Sequence, residues 1–336
     1  MNFIEEIKVR LVERRVDVQF LEIDNYPIII HRHSGQGIIL VGIDATSLSE
    51  AQKEGERVKE VRNKLINCTD SICNAFRTEN EIEITKTKCS ETKSSETESE
   101  ETGHANYREK YPIIISEDRY RQSPEVIFSR ILAHLGVFHS IFARNCEVRK
   151  IDKKLANSFL NENHSYGSCT SRYNYGLFTK KADANYPENS LIAVASFSNS
   201  RRWKKEEKII RSHEWLRYSS LPGIRISGGM GKLLKHFIDE VKPDDIMSYA
   251  DLEWSDGNVY RALGFKDCGE REALNFIILP PSWVRVAISD ESYELSSQNT
   301  ELSAKNTEPL MGKQGLFYQN FGSRKYRLKL GEYDAW

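Results

Sequence analysis

A glycine-rich turn that opens a helical segment is the sequence feature with the clearest chemical use. Residues 225–231 read Arg-Ile-Ser-Gly-Gly-Met-Gly, and the apolar residues after them recur at helical spacing as far as Val241. The N–H groups that open a helix attract phosphate, because they have no acceptors within the helix and lie at the positive end of its dipole. We therefore predict a phosphate-binding turn, with a simple chain reversal as the alternative. Its binding residues would be Arg225, Gly228, Gly229, Gly231 and Lys232.

Two phosphate-binding motifs are excluded by the details of this turn. The glycine spacing differs from that of a P-loop, and Lys232 is followed by Leu233 rather than by Ser or Thr. The spacing also differs from the dinucleotide-binding fingerprint. The turn therefore indicates a phosphate-bearing ligand of another kind.

Two further stretches alternate cations with aromatic rings. Residues 201–211 read Arg-Arg-Trp-Lys-Lys-Glu-Glu-Lys-Ile-Ile-Arg, and residues 325–329 read Lys-Tyr-Arg-Leu-Lys. Such mixtures suit phosphate contacts combined with base stacking. The alternative is a solvated loop in which Glu206 and Glu207 offset the positive charge. The predicted nucleic-acid contacts are Arg201, Arg202, Trp203 and Lys204.

Composition limits the class of protein. The 336 residues hold 48 Lys and Arg against 49 Asp and Glu, a formal net charge of -1 that argues against a uniformly basic or acidic chain. Six cysteines without a Cys-x-x-Cys pair predict free thiols and no bound metal. No apolar run approaches the ~20 residues that span a bilayer, and acidic residues come early at the N-terminus. We therefore expect a soluble cytoplasmic protein.

Strands and helices alternate in the second half of the chain. This alternation predicts an α/β or α+β sheet with helices on both faces. Residues 173–179 and 191–198 are expected to form a hairpin, and residues 317–330 another hairpin around Gly322. The other predicted strands of this half are 146–151, 214–218, 246–250 and 274–279, and its predicted helices are 152–161, 231–241 and 256–263.

The sequence of the first half predicts a smaller α/β region followed by a polar stretch without regular structure. A helix is expected at 2–15, strands at 16–23, 27–31 and 37–43, and a polar helix at 47–66. Residues 86–103 are almost wholly Ser, Thr, Glu and Lys, a composition that cannot bury enough apolar surface to fold. A strand and a helix then follow, the helix starting at Ser123-Pro124. The predicted divisions are an N-terminal region 1–85, a disordered linker or insertion 86–106, a joining strand and helix 107–145, and a second domain 146–336 with a flexible insertion 285–314.

The second domain resembles the GNAT-type N-acyltransferases. The resemblance lies in the order of strand, Arg/Gly turn, helix, strand and Asn258-x-Tyr260-x-x-x-Gly264-Phe265. It implies a GNAT-like mixed central sheet, preceded here by a small α/β domain, and acetyl-CoA or another acyl-CoA whose pyrophosphate lies on the 225–231 turn. It also implies that Tyr260 protonates the leaving thiolate, with a role as a core ring as the alternative. Met230 stands where the family has a second small residue, and Gly231 follows it.

A narrower resemblance covers roughly residues 146–265 and extends to the closing strand 322–326. It rests on the ordered motifs 163–167, 175–178, 191–197, 214–218, 247–251 and 257–265. These are similar to the Mom-type phage DNA-modification proteins, a GNAT-like branch that modifies adenine in DNA. They also resemble C-terminal domains of phage proteins related to homing endonucleases, and proteins of Bacteroidales gut bacteria. This resemblance implies DNA as a partner and a catalytic set made of His164, Arg217, Ser248, Asp251 and Tyr260.

Simple chemistry is compatible with that set. Ser248 and Asp251 lie at the end of a predicted buried strand, where α/β sheets present functional groups. Asp251 could deprotonate an amine with help from His164, and Arg217 could hold a phosphate. Each of these two residues also has a purely structural alternative. Asp251 could cap a helix or pair with Arg217, and His164 could bond only to the backbone.

These features lead to two hypotheses about function. The first is a GNAT-like enzyme that transfers an acyl group from a CoA-type donor to an amine, with a nucleobase in DNA as one acceptor. The second is a non-catalytic nucleic-acid-binding accessory protein of phage or mobile-element origin. A cleft between the strands that carry Arg217 and Ser248 discriminates between them, because a cofactor needs a splayed cleft to enter.

The N-terminal region carries a different resemblance. Residues 113–120 and 126–130 are similar to the segment after the nuclease core of very-short-patch-repair-like phage endonucleases. A metal-dependent nuclease needs clustered acids, often with a nearby lysine. The first 120 residues contain no such pattern, since Asp17, Asp24 and Asp44 are isolated. We therefore expect a degenerate nuclease-like region or an unrelated accessory domain.

Overall fold

The first sheet is built from three short apolar segments near the N-terminus and a fourth from beyond residue 110. The computed structural model describes residues 2–87, 111–182, 185–205, 207–288 and 315–333. The first three strands pair antiparallel in sequence order, and Asp24 and Asn25 at positive φ make the tight turn between the first two. The fourth strand pairs parallel with the third. These strands are β1 (Val18–Ile23), β2 (Tyr26–His31), β3 (Gly37–Val41) and β4 (Ile113–Ser116).

Both faces of this sheet are covered. Successive residues of a strand point to opposite faces. Ile29 therefore joins the core beneath one group of helices, while Ile28 and Ile30 join the core on the other side. The first core packs beneath α1 (Phe3–Glu13), α3 (Glu117–Gln122) and α4 (Pro124–His134), and the second beneath α2 (Leu48–Thr87) and a small sheet. The predicted polar helix 47–66 is α2, which continues to Thr87. The predicted linker 86–106 therefore starts inside this helix, and its residues from 88 onward lie outside the described part of the chain.

A second unit of the chain is built around a larger sheet. Its elements are β5 (His139–Phe142), β6 (Cys146–Lys150), α5 (Lys153–Asn163), β7 (Tyr173–Thr179), β8 (Leu191–Phe197), β9 (Arg201–Lys205), β10 (Lys208–Ser220), β11 (Ile224–Ser227), α6 (Gly229–Val241), β12 (Asp245–Asp251), α7 (Asn258–Ala262), β13 (Lys266–Arg271) and β17 (Ser323–Lys329). The strand order of this sheet is β13-β17-β12-β10-β8-β7-β6. Neighbouring strands are antiparallel except for β10 and β12, which run parallel. Helix α6 packs against one face and α5 against the other, so the predicted mixed sheet with helices on both faces is confirmed.

The parallel pair at the centre of this sheet separates part-way along. Strands β10 and β12 pair from Ser212 and Asp245 to Glu214 and Met247, and no pairing is recorded beyond those residues although both strands continue. Strand β10 carries an irregularity after Trp215, which shifts its register against β8. A bulge of this kind bends a strand. The two strands therefore diverge and open a cleft toward the C-terminal end of the sheet.

The C-terminal strands correct two predictions. Residues 317–330 do not form a hairpin: β16 (Leu316–Gln319) pairs with β14 (Asn275–Leu279), whereas β17 lies between β12 and β13. The physical reason is that the two strands serve different cores, with Tyr318 buried in one and Tyr326 in the other. In addition, the first residues of the predicted insertion 285–314 belong to β15 (Val284–Ile288), and those from 289 to 314 lie outside the described residues.

The three strands β14, β15 and β16 also modify the predicted division of the chain. They form a sheet of their own, and Ile278 and Tyr318 pack with Val58 and Leu65 of α2. We call the first sheet and the helices α1 to α4 the N-terminal unit. The strands β14, β15 and β16, although part of the predicted second domain, therefore complete the core of this unit. No helix among the described residues has the length and apolarity needed to span a membrane.

Candidate active-site cleft

The separation of β10 and β12 leaves a cavity of about 580 Å³, which we call the cleft cavity. Residues 215–218 of β10 and 249–251 of β12 form its walls, and α7 contributes Tyr260. Arg130 of α4, from the N-terminal unit, also lines it. The splayed cleft that the sequence hypothesis required between the strands of Arg217 and Ser248 is therefore present.

A second cavity of about 710 Å³, the turn cavity, lies on the glycine-rich turn. Gly228 has a φ of +77°, and a Cβ on Gly229 would come within 2.9 Å of Ile226 Cγ2 and 3.2 Å of Tyr218 Oη. Gly228 therefore adopts a backbone conformation that favours glycine, and Gly229 packs too tightly for a side chain. Helix α6 has no side-chain cap at its N-terminus, and its first hydrogen bond runs from Lys232 N to Gly228 O at 3.0 Å. The N–H groups of residues 229–231 consequently have no acceptor within the helix.

The two cavities adjoin each other. Tyr218, Met230 and Val259 line both of them. Met230, which stands where the resembling family has a small residue, thus lies at the junction of the cavities. A ligand with its phosphates at the turn could extend past these three side chains into the cleft.

The predicted cofactor-binding residues divide into two groups. Arg225, Gly228, Gly229 and Gly231 line the turn cavity. Lys232 has another role, because its ammonium donates to the carbonyls of Ala143 at 2.9 Å and Cys146 at 2.6 Å. It thereby ties α6 to the segment that joins β5 to β6.

Tyr260 and Ser248 form a connected pair. Ser248 Oγ lies 2.9 Å from the carbonyl oxygen of Trp215 and 2.9 Å from Tyr260 Oη. A hydroxyl has one proton and two lone pairs. Ser248 can therefore donate to Trp215 while accepting from the Tyr260 phenol, or donate to a Tyr260 phenolate. Burial raises the pKa of Tyr260 and the Ser248 hydrogen bond opposes that rise, so the phenol is protonated at neutral pH.

The ring of Tyr260 is held by the neighbouring strand. It stacks on Tyr326 of β17 with ring centroids 5.2 Å apart. Tyr326 Oη donates to the carbonyl of Asp256 at 2.7 Å and accepts from Arg261 Nη1 at 2.8 Å. Gly257, at a φ of +83°, leaves the space that the Tyr326 ring fills. Tyr260 thus packs in the core while its edge faces the cleft, so both roles considered for it from the sequence are compatible with its position.

Asp251 is the last residue of β12, and its carboxylate accepts two hydrogen bonds. Oδ1 accepts the N–H of Glu253 at 2.9 Å, and Oδ2 accepts the Tyr166 hydroxyl. Burial and the neighbouring Asp251 raise the pKa of Tyr166, so this hydroxyl remains a donor. Asp251 therefore caps a turn rather than a helix, and no ion pair between it and Arg217 is recorded in the described part of the chain.

His164 ends α5, and its ring is neutral. Nδ1 accepts the backbone N–H of Tyr166 at 3.0 Å, which places the ring proton on Nε2. Burial, with the positive charges of Arg130, Arg217 and Arg119, lowers the pKa of His164 to about 3. The ring can donate a hydrogen bond into the cleft, but it is a poor base at neutral pH. This limits the proton-sharing role suggested by the sequence.

Arg217 lies on the cleft wall and donates to main-chain carbonyls. Nε reaches Gly167 O at 3.3 Å, and Nη1 reaches Leu216 O at 2.8 Å. Its guanidinium carbon is 5.8 Å from the Tyr166 ring centroid. The structure therefore brings together all five predicted catalytic residues, four lining the cleft cavity and Ser248 buried behind Tyr260.

Sequence reasoning missed several side chains that line the cleft. Tyr166 lies inside the 163–167 motif and Trp254 follows Asp251 closely, so proximity along the chain was an available signal. Arg130 gave no such signal, because only the packing of α4 against the second unit brings it to the cleft.

The predicted nucleic-acid stretch forms a hairpin of β9 and β10 instead of a loop. Arg201, Arg202 and Lys204 are exposed on it. Trp203 packs against Tyr333, with ring centroids 5.8 Å apart, and the Arg327 guanidinium carbon is 5.2 Å from its centroid. The cations are accessible for phosphate contacts, whereas the indole is partly covered. Nucleic-acid binding by this hairpin stays a prediction.

Comparisons with known proteins gave fold likenesses only. No family model and no curated protein matches the chain. An acetyltransferase from Bacillus subtilis in complex with CoA is 11% identical, with a TM-score of 0.27 over 55% of this chain and 99% of the other. The yncA protein of Salmonella typhimurium, with its cofactor acetyl-CoA, is 13% identical, with a TM-score of 0.30 over 57% and 97%. A conserved protein of Enterococcus faecalis, described as a probable N-acyltransferase, is 13% identical, with a TM-score of 0.28 over 46% and 42%.

Proposed function

We propose that this protein is an acyl-CoA-dependent N-acyltransferase. The observation that carries the proposal is that the cavity on the glycine-rich turn adjoins, at Tyr218 and Met230, the cleft cavity that Tyr260 and Asp251 line. The turn fits a pyrophosphate, because uncapped N–H groups open α6 and the turn lines a cavity of about 710 Å³. When bound, the thioester supplies an activated acyl group for attack by an amine.

Asp251 accepts the proton that the attacking amine loses. Its two oxygens accept one hydrogen bond each, and a carboxylate offers about four lone-pair sites. Capacity for one more proton therefore remains. The Tyr166 hydroxyl fixes the orientation of the carboxylate, and the protonated ring nitrogen of His164 is available to hold the acceptor. The neutral His164 does not compete for the proton.

The leaving sulfur receives its proton from Tyr260 Oη. As the phenolate forms, the Ser248 hydroxyl turns from the Trp215 carbonyl to donate to it, which needs only a rotation about one bond. In the complete transfer an N–C bond forms, the thioester C–S bond breaks, one proton passes to Asp251 and another leaves Tyr260. Solvent exchange then resets both groups.

Thiol release from acetyl-CoA with a panel of primary amines tests the proposal. Tyr260→Phe should lower the rate about 100-fold, and Asp251→Asn should lower it as much, within the usual range for general acid–base groups. Tyr173→Phe and Asp239→Asn are matched controls, because neither residue lines either cavity. Absence of thiol release with every amine, together with absence of CoA binding by calorimetry, would overturn the proposal.

We further propose a nucleobase amine in DNA as an acceptor, on the strength of the sequence resemblance to Mom-type proteins. The exposed Arg201, Arg202 and Lys204 would supply phosphate contacts, whose strength falls as salt rises. DNA incubated with the protein and acetyl-CoA is digested to nucleosides, and the nucleosides are analysed by mass spectrometry. One nucleoside should gain the mass of an acyl group, and the Asp251→Asn variant should abolish this gain. Salt-sensitive DNA binding without any increment would favour the accessory-protein hypothesis instead.

A further inference from the structure

Three arginines around the cleft form no ion pair with any carboxylate of the described residues. Arg130 and Arg217 line the cleft cavity, and Arg119 of α3 lies over Tyr166, with its guanidinium carbon 4.0 Å from the ring centroid. Among the described residues, no ion pair is recorded for any of the three. Arg119 is only 8% exposed, and its Nε is buried without a hydrogen-bond partner.

Two other buried arginines are paired with acids, whereas the equally buried Arg62 donates to the Tyr111 hydroxyl and packs on aromatic rings. Arg285 is held by Asp118 and Glu253, and Arg327 by Asp245 at 2.8 Å. A guanidinium removed from water without a counter-charge is unfavourable. Arg130 and Arg217 differ from Arg62 in lining the cleft cavity, so an anion that enters the cavity would supply the missing ion-pair partner.

The guanidinium of Arg130 is oriented so that some of its N–H donors remain available to a ligand. The guanidinium carbon of Arg130 lies 3.9 Å from the Trp254 ring centroid, and Nη1 donates to Ser165 Oγ at 2.7 Å. Guanidinium N–H groups lie in the plane of the group, so stacking on a ring covers a face and leaves the remaining edge donors free. Such edges match the two oxygens of a carboxylate or phosphate.

Few carboxylates on the cleft wall compete for these donors. Asp251 accepts hydrogen bonds from Tyr166 and the Glu253 N–H, and it forms no ion pair with these arginines in the described part of the chain. Glu272 is exposed at the rim, near Arg271, which stacks on Tyr249 with its guanidinium carbon 4.7 Å from the ring centroid. The inner part of the cleft is therefore positively charged beside one carboxylate.

We infer that the acceptor amine carries an oxyanion, a carboxylate or a phosphate, that Arg130 and Arg217 bind. This inference rests on the proposed acyl transfer and adds the class of acceptor to it. Arg130 comes from α4, so the N-terminal unit supplies a specificity residue to the cleft of the second unit. Arg119, behind Tyr166, strengthens the positive potential without reaching the cavity wall.

Three amines of matched length separate the possible anions. Ethanolamine is neutral apart from its amine, β-alanine adds a carboxylate, and O-phosphoethanolamine adds a phosphate. The kcat/KM for thiol release should be at least about tenfold higher for one anionic amine than for ethanolamine, as expected for charge-assisted hydrogen bonds. Whichever anionic amine is preferred identifies the oxyanion.

Substitutions of Arg130 and Arg217 test whether these arginines cause the preference for an anionic amine. Arg130→Gln and Arg217→Gln should each reduce it about tenfold, and Arg130→Lys should restore part of it, since a lysine keeps the charge but loses the planar edge. Arg57→Gln, at an exposed arginine of α2 that lines neither cavity, is the matched control and should retain the preference. Equal kcat/KM for all three amines would overturn the inference.

A binding measurement keeps this inference separable from the proposed function. Arginine modification by phenylglyoxal, read by peptide mass spectrometry, needs no acyl donor. Inorganic phosphate or β-alanine should protect Arg130 and Arg217 but not Arg57. Protection without turnover would support the anion site and refute acyl transfer, whereas turnover without protection or preference would refute the anion site alone.

Discussion

Replacing Gly257 with alanine should damage the cleft through the ring of Tyr326. Gly257 has a φ of +83°, and an added Cβ would come within 2.2 Å of the Tyr326 ring. Left-handed backbone costs a non-glycine residue about 1–2 kcal/mol. Because Tyr326 is fully buried, forcing it aside adds an overpacking cost of about 1–3 kcal/mol. The sum predicts a loss of about 2–5 kcal/mol of unfolding free energy.

Gly136→Ala isolates the steric part of that loss. Gly136 has a φ of +87°, close to that of Gly257, but a Cβ there would meet no atom within 4 Å. Urea unfolding followed by circular dichroism should therefore show a loss of about 1–2 kcal/mol for Gly136→Ala and a clearly larger loss for Gly257→Ala. Because Tyr326 stacks on Tyr260, only Gly257→Ala should also lower thiol release. Equal losses of stability in the two variants would refute the packing argument.

Three other perturbations have definite expected outcomes. Gly229→Val should abolish CoA binding measured by calorimetry, because its side chain would collide with Ile226 and Tyr218, whereas Gly223→Ala should leave binding unchanged. Ser248→Ala should lower kcat for thiol release about tenfold, since it removes the donor to the Tyr260 phenolate. His164→Gln should flatten the pH dependence of unfolding free energy between pH 6.5 and about 3. In the native protein His164 binds a proton less readily than in the unfolded chain, so stability falls as pH decreases through that window.

Each of these outcomes has a result that contradicts its premise. Unchanged CoA affinity in Gly229→Val would show that the turn is not the phosphate site. An unchanged kcat in Ser248→Ala would remove the serine from proton transfer. Identical pH profiles for the native protein and His164→Gln would show that the ring is not buried in a positive environment.

The cleft depends on both units of the chain, and a buried polar network joins them. Arg285 of β15 binds Asp118 of α3 and lies 3.5 Å from Glu253, and Glu253 accepts the Tyr318 hydroxyl at 2.8 Å. Asp118 and Glu253 each expose about 1% of their side chain. Glu253 follows Asp251 by two residues, so the network also fixes the end of β12 that carries the candidate base.

Local patterns explain what the sequence could predict. The apolar spacing after Gly231 and the glycines before it indicated a turn and helix, and α6 runs from Gly229 to Val241. The segments 173–179 and 191–198 pair as the predicted hairpin, because they are apolar runs that follow each other in the chain with only the 180–190 loop between them. The apparent hairpin around Gly322 failed, since two apolar segments beside a turn do not reveal which core each one enters.

The sequence by itself determined the turn, the helix after it and most strands, because backbone preferences and apolar periodicity act over a few residues. Only the tertiary structure decided that β10 and β12 separate after Glu214 and Met247, that Tyr166 holds Asp251, and that Arg130 reaches the cleft. Tyr166 and Asp251 are 85 positions apart, and Arg130 comes from another unit. Contacts at such separations arise from the packing of whole sheets and helices, which no local pattern encodes.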